Sequence, residues 1–137
     1  MERALAGGPG SPDEAAARFV GLGPRERLTG LASLVAEVAG RAADGWRLYR
    51  DAAAADPEIA SDWNELQLLR HRTITAIVTG IPGHALAPGI TPQAAADTAW
   101  AIASPESHDL LVNRLGYDLE AFRGWMERTL ITALLAD

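Results

Sequence analysis

The stretch from Asp56 to Gly80, DPEIASDWNELQLLRHRTITAIVTG, decides how the rest of the chain is read. It opens with Asp56 as a cap, Pro57 at the first helical position and Glu58 in the first turn, where a carboxylate meets the positive end of the helix dipole. Ile59, Trp63, Leu66, Thr73, Ile77 and Ile81 then fall at steps compatible with one buried helical face. Gly80-Ile81-Pro82-Gly83 stops the run. The pattern predicts the longest helix of the chain, from Pro57 to about Gly80. Arg70 stands on the same line, where an apolar side chain is expected. A charge on a buried stripe is costly unless paired. Arg70 must therefore meet a carboxylate such as Asp97 or Asp109, reach the surface along its stem, or serve as a polar anchor in an apolar pocket.

The same punctuation recurs on both sides. Ser11-Pro12-Asp13-Glu14 is a capping box opening a short helix that stops near Gly21-Leu22-Gly23. Pro24 starts a longer helix with Leu28, Leu31, Val35, Val38 and Ala42 on one face. Ala43-Asp44-Gly45 interrupts or bends it, and a third helix carries Trp46, Tyr49 and Ala53. Beyond the long helix, Thr91-Pro92 caps a segment running to about Ala103. Ser104-Pro105-Glu106 caps another that ends at Gly116, and Asp118 caps the last, which reaches Leu135. No run alternates with period two. The expectation is an all-α fold of about seven helices, with residues 1–23 as linker and short N-terminal helix and 24–137 as one domain.

Composition sets the outer limits. The 137 residues suffice for one ordinary core, and 48% are hydrophobic. No apolar run approaches the roughly 20 residues of a membrane span, and no secretory leader is evident at Met1 to Gly10, so membrane association is not expected and a cytoplasmic location is. There is no cysteine. Net charge is −6, and all 12 basic residues are arginines scattered along the chain. Without a basic cluster to neutralise phosphates, this chain alone is not expected to bind nucleic acid.

The last helix has a broad apolar face, with Leu119, Phe122, Met126, Leu130, Ala133 and Leu134 flanked by Trp125 and Thr129. The helix from Pro92 adds Ala94, Ala95, Ala99, Ile102 and Ala103, small residues that permit close approach. Two such faces fit a four-helix bundle across a two-fold axis, with Ala95, Ala99, Ile102, Phe122, Trp125, Met126, Thr129, Leu130 and Ala133 between two copies. They equally fit the domain's own core.

A set of short patterns runs through the chain in order: Arg50-Asp51-Ala52-Ala53-Ala54-Ala55-Asp56-Pro57-Glu58-Ile59-Ala60, Trp63 and Arg70; Pro88-Gly89-Ile90-Thr91-Pro92, Ala95-Ala96-Asp97 and Trp100-Ala101-Ile102; Ser104-Pro105-Glu106, Leu110-Leu111-Val112, Gly116-Tyr117, Trp125, Thr129-Leu130 and Ala133-Leu134-Leu135. From about Leu5 onward the sequence resembles the C-terminal effector-binding and dimerisation domain of tetracycline-repressor-type (TetR) transcriptional regulators. The resemblance implies a homodimer that senses a small, largely apolar organic effector and, with its DNA-binding heads, acts as a repressor. Family members place a helix-turn-helix unit before this domain. Here Met1 is followed almost at once by Ala6-Gly7-Gly8-Pro9-Gly10, where no recognition helix fits. The alternative is a free-standing protein of the same fold that sequesters a ligand or pairs with a relative, with an enzyme recruited onto the same pocket as a third class.

The effector site expected on this resemblance comprises Trp46, Tyr49, Trp63, Leu66, Arg70, Thr73, Ile77, Trp100 and His108, an aromatic-walled pocket with few polar groups. Each aromatic also suits an ordinary core position. His71, His84 and His108 have no histidine partner three or four residues away, so no metal site is expected. The chain has no nucleophile elbow, clustered carboxylate pair or phosphate-binding glycine loop, and neither catalytic residues nor a cofactor are expected. Arg47, Arg50, Arg70 and Arg72 read mostly as a solvated helix face with local ion pairs.

Overall fold

The caps foreseen in the sequence organise the helices. In the computed structural model, which describes residues 11–137, the side chain of Ser11 accepts from Glu14 N and opens α1, Pro12–Ala17. The expected linker over residues 1–10 lies outside the described residues. Helix α2 spans Pro24–Ala55, and α3 spans Pro57–Val78 behind an Asp56 cap on Glu58 N at 2.9 Å. Thr91 caps α4, Pro92–Ile102, and Ser104 caps α5, Pro105–His108, which runs on as a π-helix over Asp109–Arg114. Asp118 caps α6, Leu119–Leu134. The described chain is all-helical, apart from short connections and one isolated bridge. Among the described residues no helix is long and apolar enough to cross a membrane.

The described residues form six α-helices where about seven were expected, because the second and third are one. Helix α2 passes unbroken through Ala43-Asp44-Gly45. A glycine inside a helix costs about 1 kcal/mol relative to alanine, which lowers propensity without ending the helix. Helices commonly end at a left-handed residue or before a proline, and Gly45 is not among the positive-φ glycines and has no proline after it. Gly116 is, at φ +78°, and it turns the chain between the π-helix and α6. The expected α-helix from Pro105 to Gly116 also changes character. It is α only to His108 and then π, a form that tends to occur at functional sites.

Helices α2 and α3 are joined by Asp56 alone, and they pack antiparallel, as the pairings of Trp46 with Trp63 and of Arg27 with Ile77 show. Helix α6 lies on α2, α4 bridges α3 and α6, and α1 rests on α3. One core runs through all of them: Leu28, Leu31, Ala32 and Ala36 of α2, Ile74, Ile77 and Val78 of α3, the alanines of α4, and Phe122, Met126, Leu130 and Leu134 of α6. Two close approaches depend on glycine. Phe19 packs against Gly30, where an added Cβ would stand 2.5 Å from the ring. Arg27, buried at the C-terminal end of α3, donates to Ile77 O at 3.2 Å across Gly80. The connection after α3 also clasps the end of the chain: Ala87 N donates to Leu134 O at 2.8 Å and Ala136 N to Ala85 O at 2.9 Å.

This packing corrects the proposed interface residues. Ala95, Ala99, Phe122, Met126 and Leu130 have no exposed surface within a single chain. They fill the chain's own core and leave nothing for a second copy. Ile102, Trp125, Thr129 and Ala133 keep part of their surface. The broad face of α6 is consumed because α2 and α4 approach it from two sides, a convergence that helical spacing does not reveal.

Candidate functional site

Between α2, α3 and the α4–α5 junction the packing opens into a cleft. It encloses about 100 Å³. That exceeds the about 10–15 Å³ a single water requires, so the cleft has room for part of a small organic molecule. Because α2 and α3 run antiparallel, its walls vary along its length. At one end Leu31, Leu34, Val35 and Val38 of α2 face Ile74 and Ile77 of α3. At the other, Trp46 and Trp63 meet edge to face, 5.6 Å between ring centroids, beside Arg47, Arg50 and Arg70. The junction supplies Ala103, Ser104 and Pro105, and the turns that follow supply His108, Asp109 and Asn113.

Arg70 sets the chemistry of the polar end. Its guanidinium carbon lies 5.0 Å from the centroid of the Trp46 ring, a cation–π geometry. Nη2 donates to Ala103 O, a terminal carbonyl of α4 that carries the negative end of that helix dipole. Nη1 donates to Gln67 Oε1 at 3.4 Å. No carboxylate of the described residues lies within 4 Å of it. Loss of water lowers its pKa to about 10, against a weaker opposing pull from Glu106. The two acids considered as partners are engaged elsewhere: Asp97 with His71 at 2.7 Å, and Asp109 with Asn113 at 2.8 Å and Arg114 at 3.8 Å. The internal ion pair is therefore absent, and Arg70 neither snorkels freely nor finds an acid.

Its neighbours share a shortage of acceptors. Trp46 Nε1 and Gln67 Nε2 are two of the four buried side-chain nitrogens that lack a partner among the described residues. Among the described residues Asp109 is the one carboxylate lining the cleft, against the guanidiniums of Arg47, Arg50 and Arg70. Its pKa is lowered chiefly by the Asn113 hydrogen bond and further by Arg50, Arg114 and Arg47. His108 is buried with its ring edge-on to Phe122 at 5.2 Å. Burial lowers its pKa, with Asp109 opposing and Arg47 assisting, so it is neutral at pH 7.

Of the nine residues expected at the site, Trp46, Trp63, Arg70, Thr73, Ile77 and His108 line the cleft. Three do not. Leu66 is sealed behind it, packed with Ala42 and Trp46 in a second, smaller core. Tyr49 stands one ring further out, against Trp63 at 5.7 Å. Trp100 points to another flank of α3, edge-on to His71 at 5.4 Å. Sequence reasoning missed Arg47 and Arg50, read as solvated surface. Arg50 lies one turn after Trp46, so its place on the cleft stripe was readable. The polar contribution of Asp109 and Asn113 was not, since it depends on the π-helix. No protein-family model, curated protein or solved structure matches this chain.

Proposed function

We propose that this chain is a small-molecule-sensing domain of the kind found in tetracycline-repressor-type regulators. The observation that carries the reading is the cleft, an open, largely apolar site between three helical segments with a cation that has no carboxylate within 4 Å among the described residues. Interiors are normally packed to crystal-like density, and buried charges are normally paired. A folded domain that leaves both rules unmet at one place has a site suited to a ligand. The ordered sequence resemblance supplies the regulator context, in which a ligand that binds one conformation better shifts the population toward it.

Self-association belongs to the same proposal. It would use the outward faces of α4 and α6, where Ile102, Trp125, Thr129 and Ala133 retain surface, and not the residues closed inside the core. Native mass spectrometry of the purified chain tests both parts. The expected species is a dimer that takes up one small molecule per copy. A monomer at micromolar concentration overturns the self-association. A chain that takes up none of a panel of apolar and amphipathic molecules overturns the sensing function.

A further inference from the structure

Resting on the ligand-binding reading, the geometry points to the chemical class of the ligand: we infer that the cleft takes an amphiphilic monocarboxylic acid, its carboxylate held by Arg70 and its hydrocarbon body lying along Leu34, Val35 and Val38, which keep surface in the cleft. A guanidinium has five N–H donors in a planar fork. Arg70 uses one on Ala103 O and one on Gln67 Oε1, which leaves three without a protein acceptor on a residue that lines the cleft. An apolar ligand would seal that donor surplus away from water at a cost, whereas a carboxylate satisfies two donors at once and neutralises the charge. The buried, unpartnered Nε1 of Trp46 and Nε2 of Gln67 make the same corner short of negative charge. Of the other arginines at the cleft, Arg50 meets Asp51 at 3.9 Å, so the surplus of donors is that of Arg70.

Size and polarity gradient narrow the class. The space of about 100 Å³ is smaller than a cavity of about 150 Å³ that holds benzene, so the cleft encloses the head group and first carbons of such an acid and the rest of the chain follows its open side. The apolar walls lie along Leu34, Val35 and Val38 and the guanidiniums at the Trp46–Trp63 end, so one polar head at one extremity is complementary and a molecule polar throughout is not.

Isothermal titration calorimetry on the full chain at pH 7 tests this with octanoate, octan-1-ol and octylamine, which share a chain length and differ in head-group charge. Octanoate is expected to bind on the order of ten- to hundredfold more tightly than octan-1-ol, the range of one charge-assisted contact, and protonated octylamine more weakly than either. Arg70→Met should bring octanoate down to the level of octan-1-ol without changing octan-1-ol, and Arg70→Lys should retain part of the preference. Equal binding of octanoate and octan-1-ol by the unmodified chain overturns the carboxylate inference while leaving the ligand cleft standing. Failure of all three to bind overturns both. An octanoate preference that survives in Arg70→Met overturns the assignment to Arg70. Should Arg70→Met not fold, as circular dichroism would reveal, the ranking on the unmodified chain still decides the head group.

Discussion

Phe122, Met126, Leu130 and Leu134 form a region with no surface left to water, closed by alanines from α4 and α2. Trp46, Trp63 and Arg70, on the far side of the α2–α3 hairpin, bound a region that is walled but not filled. Both regions are built from the same two helices, yet they differ in what is brought against them. The first receives α6 along its length. The second receives the α4–α5 junction and the π-helix, which present carbonyls, a histidine and an acid in place of a packed apolar face. Core density here is a consequence of how many helices converge, while openness follows where a helix ends.

The contrast makes a large and asymmetric prediction. Phe122→Ala removes a fully enclosed ring and should lower stability by about 3–5 kcal/mol, whereas Val38→Ala on the cleft wall should cost about 1 kcal/mol or less, because part of that side chain already lacks partner atoms. Urea unfolding of the two variants checks it, and equal losses would mean that the cleft is ordinary core. Gly30→Ala should lower stability by about 1–2 kcal/mol despite alanine's better helix propensity, since the new methyl must displace the Phe19 ring from the closed region. A Tm at or above that of the unmodified chain would show that Phe19 repacks freely.

The smallest effect is the pH dependence of the open region. Burial holds the His108 pKa below its usual 6.5. As pH falls below 6.5 the unfolded chain takes up a proton that the folded chain refuses, so stability from this group is complete above 6.5 and declines until pH passes the folded value. The lowered carboxylates act in the same direction but further into acid: Asp97 and Asp109 around and below 3.8, and Glu127 around and below 4.5. Thermal melts between pH 7 and pH 5 should therefore show a decline that His108→Gln reduces. An unchanged slope in that variant would place His108 in a wetter setting.

How far the two regions could be read in advance differs for a physical reason. Caps are local, and Ser11, Asp56, Thr91, Ser104 and Asp118 each bond within three residues of themselves, so the helix starts were legible. The stripe through Trp63, Arg70, Thr73 and Ile77 was legible too, because cleft-lining and core-facing positions share one helical period. Arg70 announced itself as a charge on that stripe, but its lack of an acid did not, since that depends on where Asp97 and Asp109 are held by His71 and Asn113. The closed region misled for the complementary reason. A face as broad as that of α6 looks the same whether a neighbouring helix or a second chain covers it.

The four tryptophans divide between the two regions. Trp46 and Trp63 stand edge to face in the cleft, while Trp100 and Trp125 lie outside its lining, against His71 and Phe122. Excited at the red edge of indole absorption, the chain therefore emits from two separate populations. Replacing Trp100 and Trp125 with phenylalanine would leave a chain whose fluorescence arises from the cleft alone, with one of its two emitters already beneath a cation. Such a protein would be its own optical gauge of occupancy, with no dye attached.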